Sequence, residues 1–488
     1  MRIDGRFWAY NWGIRVKKIT LTNSPRMGHV ERIHFVGIGG VGMCGIAEVL
    51  HNEGYVISGS DQAENKAVSY LRKLGIAISI GHDAKNICGV DVVVRSTAIG
   101  DDNPEVIAAK KQLVPIIPRA AMLAELMRFR QGIAIAGTHG KTTTTSLVSS
   151  LLGEGGLDPS FVIGGKLNSC GSNAQLGSSP YFVAEADESD ASFLYLKPMM
   201  AVVTNIDADH MAAYDDSFDK LKQTFIEFLH HLPFYGVCVM CIDDEQVKSI
   251  LSSIERPIIR YGFDDQAEIH AYDWQQQGLS SHFKVRRAGF DNDLRVRFNL
   301  PGKHNVQNAL AAIAIATQLG VDDQAIVNGL DKFQGVGRRF QLLGERQFEQ
   351  GGALVIDDYG HHPKEIRSTI EAFRQVWPDK RLIHVFQPHR YSRTQALYDD
   401  FIEALSLSDQ LLLLDIYSAG EKAIQGISSD DLARDIDKKN SKVKVIREEM
   451  LEAELNRFVN NGDIILAQGA GSIGRMASRL MEKQREQV

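Results

Sequence analysis

The segment GIAIAGTHGKTTTTSLVSSLL, residues 132–152, restricts the fold more than any other part of the chain. An apolar run stops at Gly137, a short turn closes on Gly140, and Lys141 opens a stretch in which Leu147, Val148, Leu151 and Leu152 fall on one helical face. At such a strand–loop–helix junction the free N–H groups, the helix dipole and the lysine charge all address one point, which is what a polyphosphate needs. The hydroxyl of Thr142 is available to a Mg2+ ion. Ile135 stands where the usual phosphate loop has its first glycine, so the pattern is a shortened G-x-x-G-K-T. A plain small-residue turn would explain the glycines but not these flanks.

A second glycine turn lies upstream, in RIHFVGIGGVGMCGIAEVLHNEGYVISGSD. It reads as strand, turn, helix (Met43, Ile46, Ala47 and Leu50 on one face) and strand, a β-α-β unit. Gly37, Gly39 and Gly42 have the G-x-G-x-x-G spacing that lets backbone N–H groups approach a diphosphate, and Asp61 stands 24 residues after Gly37, near the position of a ribose-binding acid. The strand DVVVRSTAI adds Ser96 and Thr97 at its exit. The motif points to a nucleotide diphosphate without choosing the nucleotide.

After the phosphate loop, FVAEADESD and AVVTNIDADHM are apolar runs that break into acids, so Glu185 and His210 are candidates to hold a divalent metal. In PGKHNVQNALAAIAIATQLG, Asn305 and Asn308 sit on the first turn of an apolar helix, as a cap or facing a site. Beyond GVGRRFQLLGE, five strand candidates alternate with helical segments: ALVIDDYGHHP, RLIHVFQPHRYSR, QLLLLDIYSAGE, KVKVI and GDIILAQGAGSIG. That alternation implies a parallel sheet, whose ligands bind beyond the carboxyl ends of the strands. Asp357, Tyr359, His361, His362, His389, Arg390, Arg393, Asp415 and Glu421 gather there.

The chain of 488 residues is long enough for about three domains. The expected division is an N-terminal extension over 1–29, poorly ordered, then 30–122, 123–334 and 335–488. The fold class is α/β, with Rossmann-like first and third domains around a phosphate-loop central ATPase domain. With 54 basic and 61 acidic side chains the net charge is −7, which argues against nucleic acid. Five scattered cysteines fit a reducing cytosol and not a disulfide framework, and Cys238 and Cys241 read as part of a buried strand. No window is long and apolar enough to span a membrane, and the first 26 residues lack the pattern of a secretory signal.

In order along the chain, GIGGVGM, AGTHGKTTT, EADESD, NIDADHM, PGKHNVQNALAA, GRRF, DDYGHHP, HRYSR and GAGSIG resemble the Mur ligases of peptidoglycan synthesis, over about residues 30 to 480. The resemblance is strongest to the branch that joins L-alanine to the carboxylate of UDP-N-acetylmuramate. It implies an acyl-phosphate mechanism, with ATP and Mg2+ as cofactors, two ions being expected and Mn2+ able to substitute. By motif, Gly137, Thr138, His139, Gly140, Lys141, Thr142 and Thr143 would hold the phosphates. Thr142, Glu185 and His210 would hold metal, with Lys141, Glu185 and His210 catalytic. His304, Asn305 and Asn308 would line the adenine pocket, Arg339 would reach the phosphates, and Asp357 the ribose. Gly39, Gly40, Ser60, Asp61, Ser96 and Thr97 would take the UDP moiety, and Tyr359, His361, His389, Arg390 and Arg393 the amino acid. Ser418 stands where close relatives usually have proline. The expected protein is cytoplasmic, a monomer or a homodimer.

Four other readings compete. A recycling ligase joins a tripeptide to the same UDP-sugar. Folylpolyglutamate synthetase shares the central block but lacks the UDP-like first block. An NAD-dependent oxidoreductase on GIGGVG leaves GTHGKTT unexplained, and the last reading is a non-catalytic nucleotide-binding regulator.

Overall fold

In the computed structural model, residues 27–165, 168, 173–439 and 442–485 are described. The expected extension over 1–29 therefore lies almost wholly outside the described residues. The chain forms two compact units, Met1–Arg119 and Ala120–Val488.

The first unit is one parallel sheet. Its strands are β1 (Arg32–Val36), β2 (Val56–Asp61), β3 (Ala77–Ile80), β4 (Val92–Arg95) and β5 (Ile116–Pro118), in the order β3-β2-β1-β4-β5. The strand order reverses between β1 and β4, which makes the crevice at their carboxyl ends the place for a ligand. The helix Val41–Asn52 follows β1, and Met43, Ile46, Ala47 and Leu50 are all buried, as their spacing predicts. Gly37 has φ 81°, a left-handed turn that a side chain would strain.

The second unit holds two sheets. The larger contains β6 (Gln131–Ala136), β7 (Ser160–Val162), β8 (Ala174–Gln175), β9 (Tyr181–Glu185), β10 (Met200–Val203), β11 (Val237–Cys241), β12 (Ile258–Gly262), β13 (Ile269–Gln277), β14 (Ser280–Arg287) and β15 (Leu294–Phe298). Their order is β15-β14-β13-β12-β11-β10-β6-β9-β7-β8. From β13 to β9 the neighbours run parallel, whereas β14 and β15 extend the sheet antiparallel. Cys238 and Cys241 lie within β11, and burial pushes both thiols up to about 12, as inert core residues. Two helices pack on this sheet, Lys141–Glu154 and Lys303–Gln318. The second is apolar on nearly all sides (Val306, Leu310, Ile313, Ile315) and its alanines let the first approach closely; both sit in one core cluster.

The third sheet has β16 (Gln341–Phe348), β17 (Gly351–Asp358), β18 (Leu382–Phe386), β19 (Gln410–Leu414), β20 (Val443–Ile446) and β21 (Asp463–Gln468), in the order β16-β17-β21-β18-β19-β20. The five predicted strands are present and parallel. An additional antiparallel edge strand, β16, pairs with β17, and the parallel pattern did not foresee it. After β17, His362 caps the helix Pro363–Val376 in a capping box with Glu365, with proline at the first helical position. Among the described residues no helix is long and apolar enough to cross a membrane.

The core of the second unit rests on the Lys303–Gln318 helix. Ile313→Ala, at a fully buried position, should lower stability by about 2–5 kcal/mol. Urea unfolding followed by tryptophan fluorescence will measure it, and a midpoint equal to the wild type would contradict this packing.

Candidate active site

The loop between β6 and the Lys141–Glu154 helix is built by two left-handed glycines, Gly137 (φ 126°) and Gly140 (φ 83°). A Cβ on Gly137 would lie 2.1 Å from Thr204 Oγ1, and one on Gly140 would lie 2.5 Å from Asn308 Oδ1. The loop is laced to the chain that leaves β10. Thr138 N donates to Asn205 O (3.1 Å), His139 N to Asn205 Oδ1 (2.8 Å), and Asp207 N to Thr138 Oγ1 (2.9 Å). Thr204 and Asn205 both donate to His139 O. These bonds fix the loop against the chain that leaves β10.

Lys141 turns into the loop. Its Nζ donates to Gly137 O (2.6 Å), Thr138 O (3.0 Å) and Glu188, 2.9 and 2.7 Å from the two carboxylate oxygens. Burial opposes the ammonium charge, but Glu188, Asp187 and Glu185 outweigh it and hold the lysine above its ordinary value. Burial also raises Glu188, to about 7. Tyr214 Oη donates to the Glu188 carbonyl, so the acid's backbone is pinned as well.

Glu185, at the end of β9, accepts from Gly164 N (2.6 Å), and burial raises its carboxyl although Lys141, Thr142 and Arg339 act to lower it. His210 follows β10 with φ 55°, and burial lowers its pKa, which favours the neutral imidazole that a metal ligand must be. Thr142, Glu185 and His210 are therefore a hydroxyl, a carboxylate and an imidazole, a donor set that fits Mg2+ or Mn2+. The adenine candidates link two helices. Thr144 Oγ1 donates to Asn308 Oδ1 (3.2 Å), Asn308 Nδ2 to Asn305 Oδ1 (3.4 Å), and Asn305 Nδ2 to Pro301 O (2.8 Å), while burial lowers the half-buried His304.

The third sheet brings its polar strand exits to the same place. Arg393, nearly fully buried, pairs with Asp209 (3.3 Å) and lies 3.4 Å from His210 Nε2 and from His389 Nδ1. Lys364 Nζ reaches Asp207 (2.7 Å). Tyr359 lies beneath the guanidinium groups of Arg338 and Arg339 and meets His361 edge-on. His361 and His389 rings are 5.8 Å apart, and burial keeps them neutral, pushed down to about 3 and about 4. His389 stacks on Tyr417. Arg390 is exposed, with its N–H on Tyr417 O. Asp357, expected to face a ribose, is buried and pairs with Arg338 at 3.2 Å.

In the first unit, Gly39, Gly40, Asp61, Ser96 and Thr97 stand at the carboxyl ends of β1, β2 and β4. Asp61 Oδ2 accepts from Gly39 N (2.8 Å), so the acid braces the glycine turn. Ser60 is fully buried, and its hydroxyl is engaged inward with Glu105 (2.6 Å) and His82 (2.9 Å). Only its backbone faces the turn, accepting from Gly37 and Ile38.

Glu188, Asp207, Asp209, Arg338 and Glu365 escaped the sequence reading. The first three lie inside EADESD and NIDADHM, where one metal-ligating residue per motif was sought, although each motif carries further acids. Arg338 adjoins the chosen Arg339, and Glu365 stands three residues after a capping histidine.

A glycine loop gripping a lysine, candidate metal donors at the neighbouring strand exits and a second α/β layer delivering arginines are the parts that an enzyme of phosphoryl transfer requires. Family patterns identify it further: the Mur ligase family catalytic domain matches residues 32–131, the Mur ligase middle domain 135–316, and the Mur ligase glutamate ligase domain 338–471. The chain belongs to the Mur ligase family. It is 66% identical over 459 residues to UDP-N-acetylmuramate–L-alanine ligases of Legionella pneumophila strains Lens and Corby, covering 94% of this chain and 98% of theirs. The structure of UDP-N-acetylmuramate-alanine ligase from Thermotoga maritima superposes with TM-score 0.80 at 28% identity, covering 94% of this chain and all of that one. A murein peptide ligase from Psychrobacter arcticus shares the fold, with TM-score 0.70 at 24% identity over 92% of this chain and 98% of that one.

Gly137→Ala combines a strained φ with a collision against Thr204. It should weaken binding of an ATP analogue by about tenfold or more with the circular dichroism spectrum unchanged. Calorimetric titration will read it, and unaltered affinity would contradict the role of the loop.

Proposed function

We propose that the protein uses ATP to join L-alanine to the carboxylate of UDP-N-acetylmuramate through an acyl phosphate. The observation that carries the proposal is Lys141, folded into a glycine loop with Glu185 in its electrostatic reach, and Thr142 and Arg339 acting on that same Glu185.

A carboxylate oxygen is a poor leaving group, and amide formation from it needs activation. Phosphoryl transfer is catalysed mainly by positioning and by neutralising charge. The loop N–H groups and Lys141 would hold the β- and γ-phosphates. The lysine would exchange part of its bond to Glu188 for phosphate oxygens. Thr142, Glu185 and His210 would hold Mg2+, which supplies charge neutralisation where the γ-phosphate meets the carboxylate. A bond then forms from a carboxylate oxygen to the γ-phosphorus as the bond to the β-bridging oxygen breaks, and ADP leaves. The amine of alanine next attacks the acyl carbon, and phosphate leaves as the tetrahedral adduct collapses. The amine must be unprotonated to attack.

His361 and His389, held neutral, and Tyr359 fit the walls of a small amino-acid pocket. Arg390 and Arg393 fit its carboxylate, which an arginine fork grips in two bonds. Arg339 would reach the phosphates. Asp357 is engaged by Arg338, so ribose contact would require that pair to open or to share the acid. His304, Asn305 and Asn308 would border the adenine, and Gly39, Gly40, Asp61, Ser96 and Thr97 would take the UDP moiety. The protein is expected to act in the cytoplasm.

Phosphate release should appear only when ATP, UDP-N-acetylmuramate and L-alanine are all present. Release with a tripeptide but not with alanine would overturn the alanine assignment. Lys141→Ala should lower turnover by about 1000-fold or more while UDP-N-acetylmuramate still binds, measured by calorimetry; a variant retaining turnover would contradict the lysine's role.

A further inference from the structure

The phosphate loop carries a side chain that the reaction above does not use. The His139 ring lies between the chain that leaves β10 and the start of the Pro363–Val376 helix. Its Nε2 lies 3.1 Å from Asp207 Oδ2, and its Nδ1 lies 3.5 Å from Glu365 Oε1. Asp207 follows β10, whereas Glu365 is in the first turn of the Pro363–Val376 helix. One imidazole thus faces two carboxylates from two different sheets. Both ring nitrogens meet acceptors, so the ring serves both only as an imidazolium. Burial opposes that charge, but the hydrogen bonds the ring donates to Asp207 and Glu365 outweigh it and raise the ring to about 9, while the same contacts drive both carboxyls well below their usual range.

The neighbours support this arrangement. Glu365 also accepts from the backbone N–H of His361 (2.9 Å) and of His362 (3.1 Å), and Arg339 approaches it at 3.8 Å. Asp207 takes Lys364 on its other oxygen. The His362 ring lies 4.7 Å from that of His139, and burial and the His139 charge keep it neutral, down to about 4. His139, Asp207 and His362 are close enough to suggest a metal site. A doubly donating His139 has no lone pair for one, and Lys364 already supplies the cation at Asp207.

We propose that His139 is a positioning residue that ties the phosphate loop to the N-terminus of the Pro363–Val376 helix, so that the loop takes its working shape only when the third sheet is seated. The same helix start carries Tyr359, His361 and His362 just before it, and Arg339 bonds the same Glu365. Seating this helix therefore brings the candidate amino-acid pocket and the phosphate arginine into place together, and His139 reports that seating to the loop two residues before Lys141. A misplacement of about 1 Å in such a site can cost on the order of 100-fold in rate. The inference rests on the ligase reading for its consequence in turnover, but not for the structural tie itself.

The tie is tested by hydrogen exchange of the full chain at pH 7.5 with His139→Gln and Glu365→Gln. His139→Gln should deprotect amides at 361–366, on the far side, and Glu365→Gln should deprotect 137–140, with β6 and β21 unchanged in both. Changes confined to the mutated segment would overturn the tie, whatever the substrates are. With ATP, UDP-N-acetylmuramate and L-alanine, each variant should lose about tenfold in kcat with less change in the KM for the UDP-sugar. The double variant should lose less than the product of the two, because either change breaks the same contact; losses that multiply would overturn the coupling. Because the folded pKa is raised, the tie is complete near neutral pH and is lost as pH rises through about 9. The wild-type kcat should fall there, and the His139→Gln profile should lack that limb; an unchanged limb in the variant would also overturn the proposal. If wild type shows no turnover with these substrates while the exchange results hold, the ligase reading fails and the tie survives.

Discussion

An ammonium group largely withdrawn from water has to be held by acceptors, and here Gly137 O, Thr138 O and Glu188 hold that of Lys141. Two left-handed glycines bend the backbone so that carbonyls and N–H groups line the same small loop. The pair Lys141–Glu188 keeps the lysine charged inside the protein, and a buried pair of this kind is costly to break but readily exchanged for a stronger anion. In the proposed reaction a polyphosphate would be that anion. The chemistry assigned to Thr142, Glu185, His210 and Arg339 follows from where Lys141 is anchored.

Around that anchor, the second unit is organised by acids on the loop after β10. Asp207 receives His139 and Lys364, and Asp209 receives Arg393. Arg393 and Asp209 lower each other's cost of burial, and Asp209 is held down to about 2. The bonds from Lys364 and Arg393 cross from the third sheet to the large sheet, and His139, bonded to Asp207 within the large sheet, crosses through Glu365. The same few side chains therefore shape the phosphate loop, hold the third sheet against it and bring arginines within reach of a carboxylate.

Much of this was legible in the sequence because it depends on local rules. Apolar periodicity placed the helices that bury Met43 to Leu50 and Leu147 to Leu152, and breaks from apolar to polar residues marked the carboxyl ends of the strands. Antiparallel additions were not legible in the same way. β16 reads GERQ in its middle, and β13 runs through YDWQQQ, polar stretches whose strand character comes from pairing with a neighbour and not from their own composition. At the site, glycine and lysine announced the phosphate loop, since few other roles demand both. Partnership between charged residues was invisible: Glu188 to Lys141, Arg338 to Asp357 and Glu365 to His139 are set by tertiary contact over separations that no spacing rule spans. Ser60 shows the converse, a polar residue in the right motif whose hydroxyl is turned into the interior.

The central claim is that Lys141 exchanges Glu188 for phosphate while metal gathers at Thr142, Glu185 and His210. A crystal grown with a non-hydrolysable ATP analogue and Mn2+ tests it most directly, by anomalous scattering. The account predicts Lys141 Nζ in contact with a γ-phosphate oxygen and Mn2+ at about 2.2 Å from Thr142 Oγ1, Glu185 or His210. Nucleotide bound with Lys141 still closed on Glu188, or metal remote from all three donors, would contradict it.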